Sequence, residues 1–250
     1  MFLALDIGNT EAKAGLHDGA AWVRTARVPM AEEDAAAWLR ALAQGARVKA
    51  AGLASVVPAR TAAWAEAIRE TFGVAAPAVH AGRPLPFRLA YETPDTLGAD
   101  RLAAAAAAWI QFGNTSRNAH PVVALDAGTA VTTEVVTAEG VYLGGAIAPG
   151  APLLLRALAE RTAQLPAVDW PATPSPIGAS TRDAMQAGLG VLFLDGVHGL
   201  LDRTAEALGQ RPFVVATGGW AGWLADHLEA IDAVAPHLVL DGVRLLVASA

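Results

Sequence analysis

The chain has 250 residues, with 18 Lys and Arg against 24 Asp and Glu, a formal charge of −6 and no cysteine. That length allows one large domain or two of about 100–150 residues, and a core large enough to need no covalent staple. Lack of cysteine excludes a disulfide scaffold, a thiolate nucleophile and a Cys-ligated metal centre; the acidic balance argues against a nucleic-acid partner, which would call for a basic face.

The first residues, MFLALDIGN, carry no basic leader, and their apolar run stops at Asp6, so they read as a strand and not a signal peptide. Phe2–Asp6 is then followed by two strands, Ala12–Leu16 and Trp22–Val28, flanking the turn His17-Asp18-Gly19. Ala31–Gln44 reads as a helix with an acidic first turn, Val48–Val57 as a strand, and Pro58–Phe72 as a helix opened by proline and closed by Gly73. Pro94–Phe112 reads as a turn and an Ala-rich helix. Alanine supplies 59 residues, which we take as helix formers more than core fillers.

The pattern then restarts. Pro121–Asp126, Ala130–Val136 and Val141–Ile147 read as strands, and helices begin at Pro149, one of them spanning 182–194. Phe213–Ala216 is a strand running into Gly218-Gly219, and Trp220–Glu229 and Asp241–Ala248 look helical. The segment Val141–Leu155 is the best membrane-span candidate, but it is short and interrupted by Gly and Pro. A soluble, cytoplasmic protein with no membrane partner is expected. The six histidines are scattered and assigned to no metal, and the seven tryptophans are assigned to packing.

Alternating strands and helices with hairpins make the class mixed α/β. The two halves also begin alike. Residues 6–10 are D-I-G-N-T and residues 126–130 are D-A-G-T-A, each after an apolar strand and before a second strand. Two copies of one unit are expected, with halves 1–115 and 116–250 and a boundary in the polar loop 113–121.

A strand ending in Asp-x-Gly aims a carboxylate and successive N–H groups at one spot. Gly8 and Gly128 let the backbone approach a phosphate, Thr10 and Thr129 add hydroxyls, and the amides form an anion nest. The carboxylates would hold the cation that accompanies the phosphate. A third turn, Ala216-Thr217-Gly218-Gly219, offers bare backbone to a flat ring. Neither G-x-x-x-x-G-K-[ST] nor G-x-G-x-x-G occurs, which disfavours the two commonest nucleotide folds.

Three such turns in this order resemble the acetate kinase, sugar kinase, Hsp70 and actin superfamily. Tyr91-x-x-Pro94-x-x-Leu97-Gly98-Ala99-Asp100-Arg101, Gly144-Gly145-Ala146-Ile147-Ala148-Pro149-Gly150, Ser180-Thr181 and the late T-G-G make the chain similar to type III pantothenate kinases within it. The resemblance implies duplicated actin-like (ribonuclease H-like) domains of mixed sheets flanked by helices, with a nucleotide cleft between them. It implies ATP-dependent phosphorylation of pantothenate to 4′-phosphopantothenate, the first step toward coenzyme A, in a homodimer. It makes Asp100 the proton acceptor and places Tyr91, Gly98, Ala99, Asp100, Arg101 and Thr181 around the substrate. Asp6, Ile7, Gly8, Asn9, Thr10, Glu11, Ala12, Lys13 and Thr129 match the ATP contacts, and Asp126 matches a monovalent-cation ligand, with K⁺ or NH₄⁺ beside Mg²⁺.

Plainer readings stand next to these. Asp100 suits a helix N-cap, Thr181 the N-cap of helix 182–194, Arg101 a solvated first turn, Tyr91 half-buried packing, and Lys13 an exposed strand position. Three positions depart from the family pattern. Glu11 puts a negative charge inside the nucleotide loop, Glu134 stands where Asp is usual, and Gly178-Ala179-Ser180 lacks a basic or amide residue. Weak nucleotide affinity is therefore expected. Two other functions fit the same sequence: another small-molecule kinase of the superfamily, or a non-catalytic regulator related to Bvg accessory factor. Retention of Asp100 and Asp126 argues against a dead site.

Overall fold

The computed structural model describes residues 1–29, 34–114, 119–171 and 173–248. Two units divide the chain, one of residues 1–111, 140–142 and 237–250, the other of 112–139 and 143–236.

In the first unit β1 (Phe2–Ile7) pairs antiparallel with β2 (Glu11–His17), β2 with β3 (Trp22–Pro29), and β1 parallel with β4 (Ala50–Ser55), in the order β3-β2-β1-β4. Alternation sends Leu3, Leu5 and Ile7 to one face. There they pack with Leu39 and Leu42 of α1 (Ala35–Ala43) and Trp64 and Ile68 of α2 (Pro58–Phe72). Asp34 caps α1, its Oδ1 accepting the Ala37 N–H at 2.7 Å; the rest of the expected acidic first turn, 31–33, lies outside the described residues.

The opposite face is made of small residues. Ala4 is flanked by Gly15 on β2 and Gly52 on β4, and the C-terminal helix α7 (Leu238–Ala248) lies on them. A Cβ on Gly52 would come within 2.8 Å of Val247, and one on Gly15 within 2.6 Å of the Trp22 ring and 3.2 Å of Leu240. Helix α3 (Ala99–Ala108) packs on α7 so closely that a Cβ on Gly242 would sit 1.9 Å from the Ala103 carbonyl oxygen. Ala103 and Ala105–Ala108 are fully buried. The reading of alanine as helix former more than core filler is thus corrected for α3. These alanines are core, because only a methyl-sized side chain permits that approach. The helix is followed by one π-helical turn, Trp109–Gly113.

The β2–β3 hairpin is fastened to α7 by Trp22, whose Nε1 donates to Asp241 Oδ1 at 2.9 Å. His17 packs edge-on to Trp22 with centroids 5.0 Å apart, and its Nδ1 accepts the Gly19 N–H at 3.0 Å. Burial lowers the His17 pKa, Arg244 lowers it further, and Asp241 and Asp18 oppose the shift. The neutral ring is the folded form. Stability contributed here is complete above the ordinary histidine pKa of 6.5 and is lost as pH falls below it, because the unfolded chain takes up the proton first. Urea midpoints should fall from pH 7 to pH 5 less steeply in His17→Gln than in the wild type; equal slopes would remove His17 from that loss.

In the second unit β6 (Val122–Ala127) pairs antiparallel with β7 (Ala130–Val136) and parallel with β10 (Phe213–Thr217), and β11 (Ala233–Val234) extends β10. Val123, Leu125, Val131 and Val135 pack with Phe193, Val197 and Leu201 of α5 (Thr181–Leu208). At 28 residues, α5 is the helix among the described residues that is long and apolar enough to cross a membrane. It replaces Val141–Leu155 as that candidate, and its apolar stripe is occupied by this core. The region read as one strand, Val141–Ile147, is two: β8 (Val141–Gly144) and β9 (Ile147–Pro149), with β9 on β7. In the first unit Val141 and Tyr142 pair parallel with β5 (Arg88–Leu89). Helix α4 (Ala151–Arg161) follows β9, and α6 (Ala221–Ala225) is much shorter than the Trp220–Glu229 expectation.

The two units repeat one local design. In both, glycine closes the turn: the Gly8 N–H donates to the Glu11 carbonyl at 3.0 Å and the Gly128 N–H to that of Ala130 at 2.9 Å. In both, the carbonyl after the aspartate accepts an N–H from the segment following the parallel strand, Val56 to Ile7 and Trp220 to Ala127.

Candidate active site

In the first unit, Asp6 stands opposite Lys13 in the β1–β2 register, so their side chains share one face. Asp6 is 9% exposed and Lys13 half-buried, so Lys13 is not the exposed strand residue of the plainer reading. The Val56 N–H holds the end of β4 to the Ile7 carbonyl, and a Cβ on Gly98 would reach Val56 at 3.6 Å. Gly98 is the N-cap of α3, with Ala99, Asp100 and Arg101 forming its first turn. The start of α3 at residues 98–101 therefore lies beside the end of β1 and the 6–13 loop within one unit.

Asp100 is not the N-cap. Its Oδ1 accepts the Arg101 N–H at 2.8 Å, and the carboxylate folds back over Gly98, where a Cβ would come within 2.5 Å of it. Glycine at 98 is what leaves that oxygen its place. Burial raises the Asp100 pKa above the ordinary carboxylate value, against the Arg101 N–H and the charges of Arg101 and Lys13, which lower it. Arg101 is 9% exposed and so is not a solvated first-turn arginine. Tyr91 tilts against fully buried Tyr142 at 5.9 Å, and Tyr142 stacks on Phe87 at 5.6 Å. The sequence reading passed over Tyr142, since nothing in V-Y-L-G-G shows that β8 carries it under Tyr91.

In the second unit, Asp126 pairs with Thr132 on β7 and Thr217 on β10, so three oxygen-bearing side chains line up on one sheet face. Thr132 and Thr217 were not singled out from sequence, because only register brings them to Asp126. Gly218, at φ +92°, lies on the same aspartate; a Cβ there would be 2.5 Å from Asp126 Oδ1 and from the Ala127 carbonyl oxygen. Gly150 rests on the Gly128-Thr129 turn, its N–H donating to the Thr129 carbonyl at 3.0 Å, with 2.3 Å from a would-be Cβ to Gly128 O. Gly145 packs closer still on Thr133, with 1.7 Å from a would-be Cβ to its carbonyl oxygen. Two glycines of G-G-A-I-A-P-G are therefore backbone-packing positions, Gly150 on the Gly128-Thr129 turn and Gly145 on β7, while Gly144 takes a positive φ.

The cap of α5 is Ser180, whose Oγ accepts the Asp183 N–H at 3.1 Å. Thr181 is exposed in the first turn, and capping makes no demand on its hydroxyl. Within the altered triplet Gly178 packs on this turn, where a Cβ would lie 2.1 Å from the Ala184 nitrogen, and nothing in the structure explains Ala179. Glu134 is 1% exposed and stands on the Asp126 face, opposite Ala124. Among the described residues no group of three His, Asp or Glu side chains could hold a metal. A cation at Asp126 would therefore need main-chain, hydroxyl or phosphate oxygens as well.

The family model for type III pantothenate kinase matches residues 2–203. The chain is 37% identical over 260 residues to a type III pantothenate kinase of Moorella thermoacetica, covering 98% of each. This chain belongs to the type III pantothenate kinases. Solved structures share its fold. A Campylobacter jejuni protein assigned to the Baf family of transcriptional activators has a TM-score of 0.63 at 18% identity, covering 99% of this chain and 98% of its own. A ROK family glucokinase from Streptomyces griseus, solved with glucose and AMPPNP, has a TM-score of 0.52 at 14% identity, covering 100% and 99%. The mixed-sheet α/β architecture of this pantothenate kinase family member is thus that of the actin-like kinases.

The donor chemistry of both turns fits a metal–nucleotide: hard carboxylate oxygens at Asp6 and Asp126, glycine-built turns, and a lysine across from the first aspartate. In neither turn does the glycine amide itself point outward, because Gly8 and Gly128 spend theirs closing the turn.

Proposed function

We propose that this type III pantothenate kinase transfers the γ-phosphoryl group of ATP to the primary hydroxyl of pantothenate, with Asp100 as proton acceptor. The products are 4′-phosphopantothenate and ADP, and the reaction opens coenzyme A biosynthesis. Besides the family relationship, the observation that carries this reading is the placement of Asp100. A half-buried carboxylate in a helix first turn is held beside Lys13 and Arg101, in the unit that carries the Asp6–Lys13 loop.

Phosphoryl transfer asks the protein for positioning and charge, since little covalent work falls to it. Asp100 takes the hydroxyl proton as the oxygen bonds to phosphorus, and the Arg101 N–H keeps its carboxylate aimed. Arg101 suits the substrate carboxylate, a planar fork matched to a planar acceptor. Tyr91, braced by Tyr142, walls the substrate, and Gly98, Ala99 and Thr181 complete its surroundings. The loop of residues 6–13, through its main chain and Lys13, and Thr129 receive the phosphates, with the Glu11 carboxylate held on Arg27 and not among the contacts. Asp6 would offer a hard oxygen to Mg²⁺ arriving with ATP, and the ion would supply neutralisation of the phosphate charge. Asp126, with Thr132 and Thr217 beside it, suits K⁺ or NH₄⁺. We assign the protein to the cytoplasm as a homodimer, its two units being the actin-like halves.

Release of ADP from Mg-ATP, measured with and without pantothenate in potassium and then in sodium buffer, tests the assignment. Pantothenate-dependent ADP that rises with potassium is expected; ADP formed only with a sugar or acetate would move the protein to another substrate. Asp126→Ala should remove the potassium response. Unchanged activation in that variant would take Asp126 out of the cation site.

A further inference from the structure

Glu11 sets a carboxylate at the end of the phosphate loop, where a polyphosphate would meet a like charge. The β2–β3 register shows what answers it. Arg27 on β3 stands opposite Lys13, and Lys13 stands opposite Asp6, so the three form a row across three strands on one face. Glu11 lies two residues before Lys13 on that same face, and its Oε1 accepts from Arg27 Nη1 at 3.1 Å. The Glu11 carbonyl also closes the loop by accepting the Gly8 N–H. Glu11 is thus tied at its backbone to the turn and at its carboxylate to β3.

We propose that Arg27 is a positioning residue for the nucleotide, acting through Glu11. It draws the Glu11 carboxylate toward β3 and cancels its charge, so that the loop presents a balanced face to an incoming polyphosphate. This rests on the reading that residues 6–13 receive the ATP phosphates. The charges at the loop end of this face and in the first turn of α3 are Asp6, Glu11 and Asp100 against Lys13, Arg27 and Arg101, while Asp241 and Arg244 of α7 offset one another by His17. Without Arg27 the balance turns negative by one unit, and the displaced charge is the one nearest the loop. The pair contributes little to folding, since its side chains are 34% and 55% exposed and water screens such contacts. A multivalent anion feels the same charge once for each of its own, so the effect falls on binding.

The test measures Mg-ADP binding by calorimetry on the intact protein, without pantothenate, at low ionic strength. Arg27→Ala should weaken binding about three- to tenfold, and raised salt should shrink the difference. Glu11→Gln should bind at least as tightly as the wild type, and the double variant Glu11→Gln/Arg27→Ala should return to within about twofold of it. Steady-state kinetics should show the same pattern in the KM for ATP and none in the KM for pantothenate. Wild-type affinity in Arg27→Ala would overturn the proposal, as would a double variant as weak as Arg27→Ala. Because the binding arm uses no pantothenate, failure of turnover in the wild type would count against the substrate assignment and not against this pair.

Discussion

Asp100→Asn should cut turnover about 10²–10⁴-fold while making the folded protein more resistant to heat near neutral pH. The amide has the size of the carboxyl and can still accept the Arg101 N–H, so the first turn of α3 keeps its geometry. It can no longer take a proton from the substrate hydroxyl. The stability gain has the opposite origin. Burial raises the folded-state pKa of Asp100 above the 3.8 of the free side chain. Its favourable contribution is therefore complete below pH 3.8 and is lost as pH rises through the raised value, leaving an ionised, partly desolvated carboxylate at neutrality. Asparagine removes that cost. Turnover and melting temperature, measured on the same preparation at pH 7 and near pH 4, should show the stabilisation only at pH 7. Wild-type turnover in the variant would end the proton-acceptor assignment, and a lower melting temperature at pH 7 would give Asp100 a structural part instead.

The second large effect is expected at Gly242, far in sequence from every motif. Its would-be Cβ meets the Ala103 carbonyl oxygen at 1.9 Å, and both partners are backbone, so no rotamer change relieves the contact. Gly242→Ala must separate α7 from α3, at a cost of ~3 kcal/mol, the upper end of ordinary overpacking. For a chain of this size that lowers the melting temperature by about 6–12 °C. Because α3 begins with Asp100 and Arg101, turnover should fall too. Gly188→Ala is the control, being helical with no atom near its would-be Cβ; there alanine should stabilise by about 0.5–1 kcal/mol. A Gly242→Ala protein as stable as the wild type would show that the helices are less tightly apposed than described.

The hairpins and both Asp-x-Gly turns were legible because they rest on local rules. Period-2 apolar runs and glycines announce themselves within a few residues, and Ala130–Val136 is found where it was read. What escaped depends on partners distant in the chain. A run of alanine looks the same whether a helix faces water or another backbone, so the burial of Ala103–Ala108 needed Gly242 to become visible. Register alone brings Arg27 to Lys13 and Thr217 to Asp126. The helix read over 182–194 runs on to Leu208 through Gly196 and Gly199, where a would-be Cβ meets open space, so these glycines neither end α5 nor serve a close approach. Glycine serves opposite purposes here, ending some helices and bringing others together, and spacing does not distinguish the two.

The placement of α7 also sets an order of events during synthesis. The first unit closes only with residues 237–250, yet residues 112–139 and 143–236 belong to the other unit. A ribosome adding about 5–20 residues each second needs roughly 6–25 s to cross that interval. Throughout it, the Ala4, Gly15 and Gly52 face of the nascent sheet and the alanine flank of α3 await their cover. The sheet face beneath α7 is therefore translated early but covered late, and its half of the protein should be the later of the two to resist protease on arrested nascent chains.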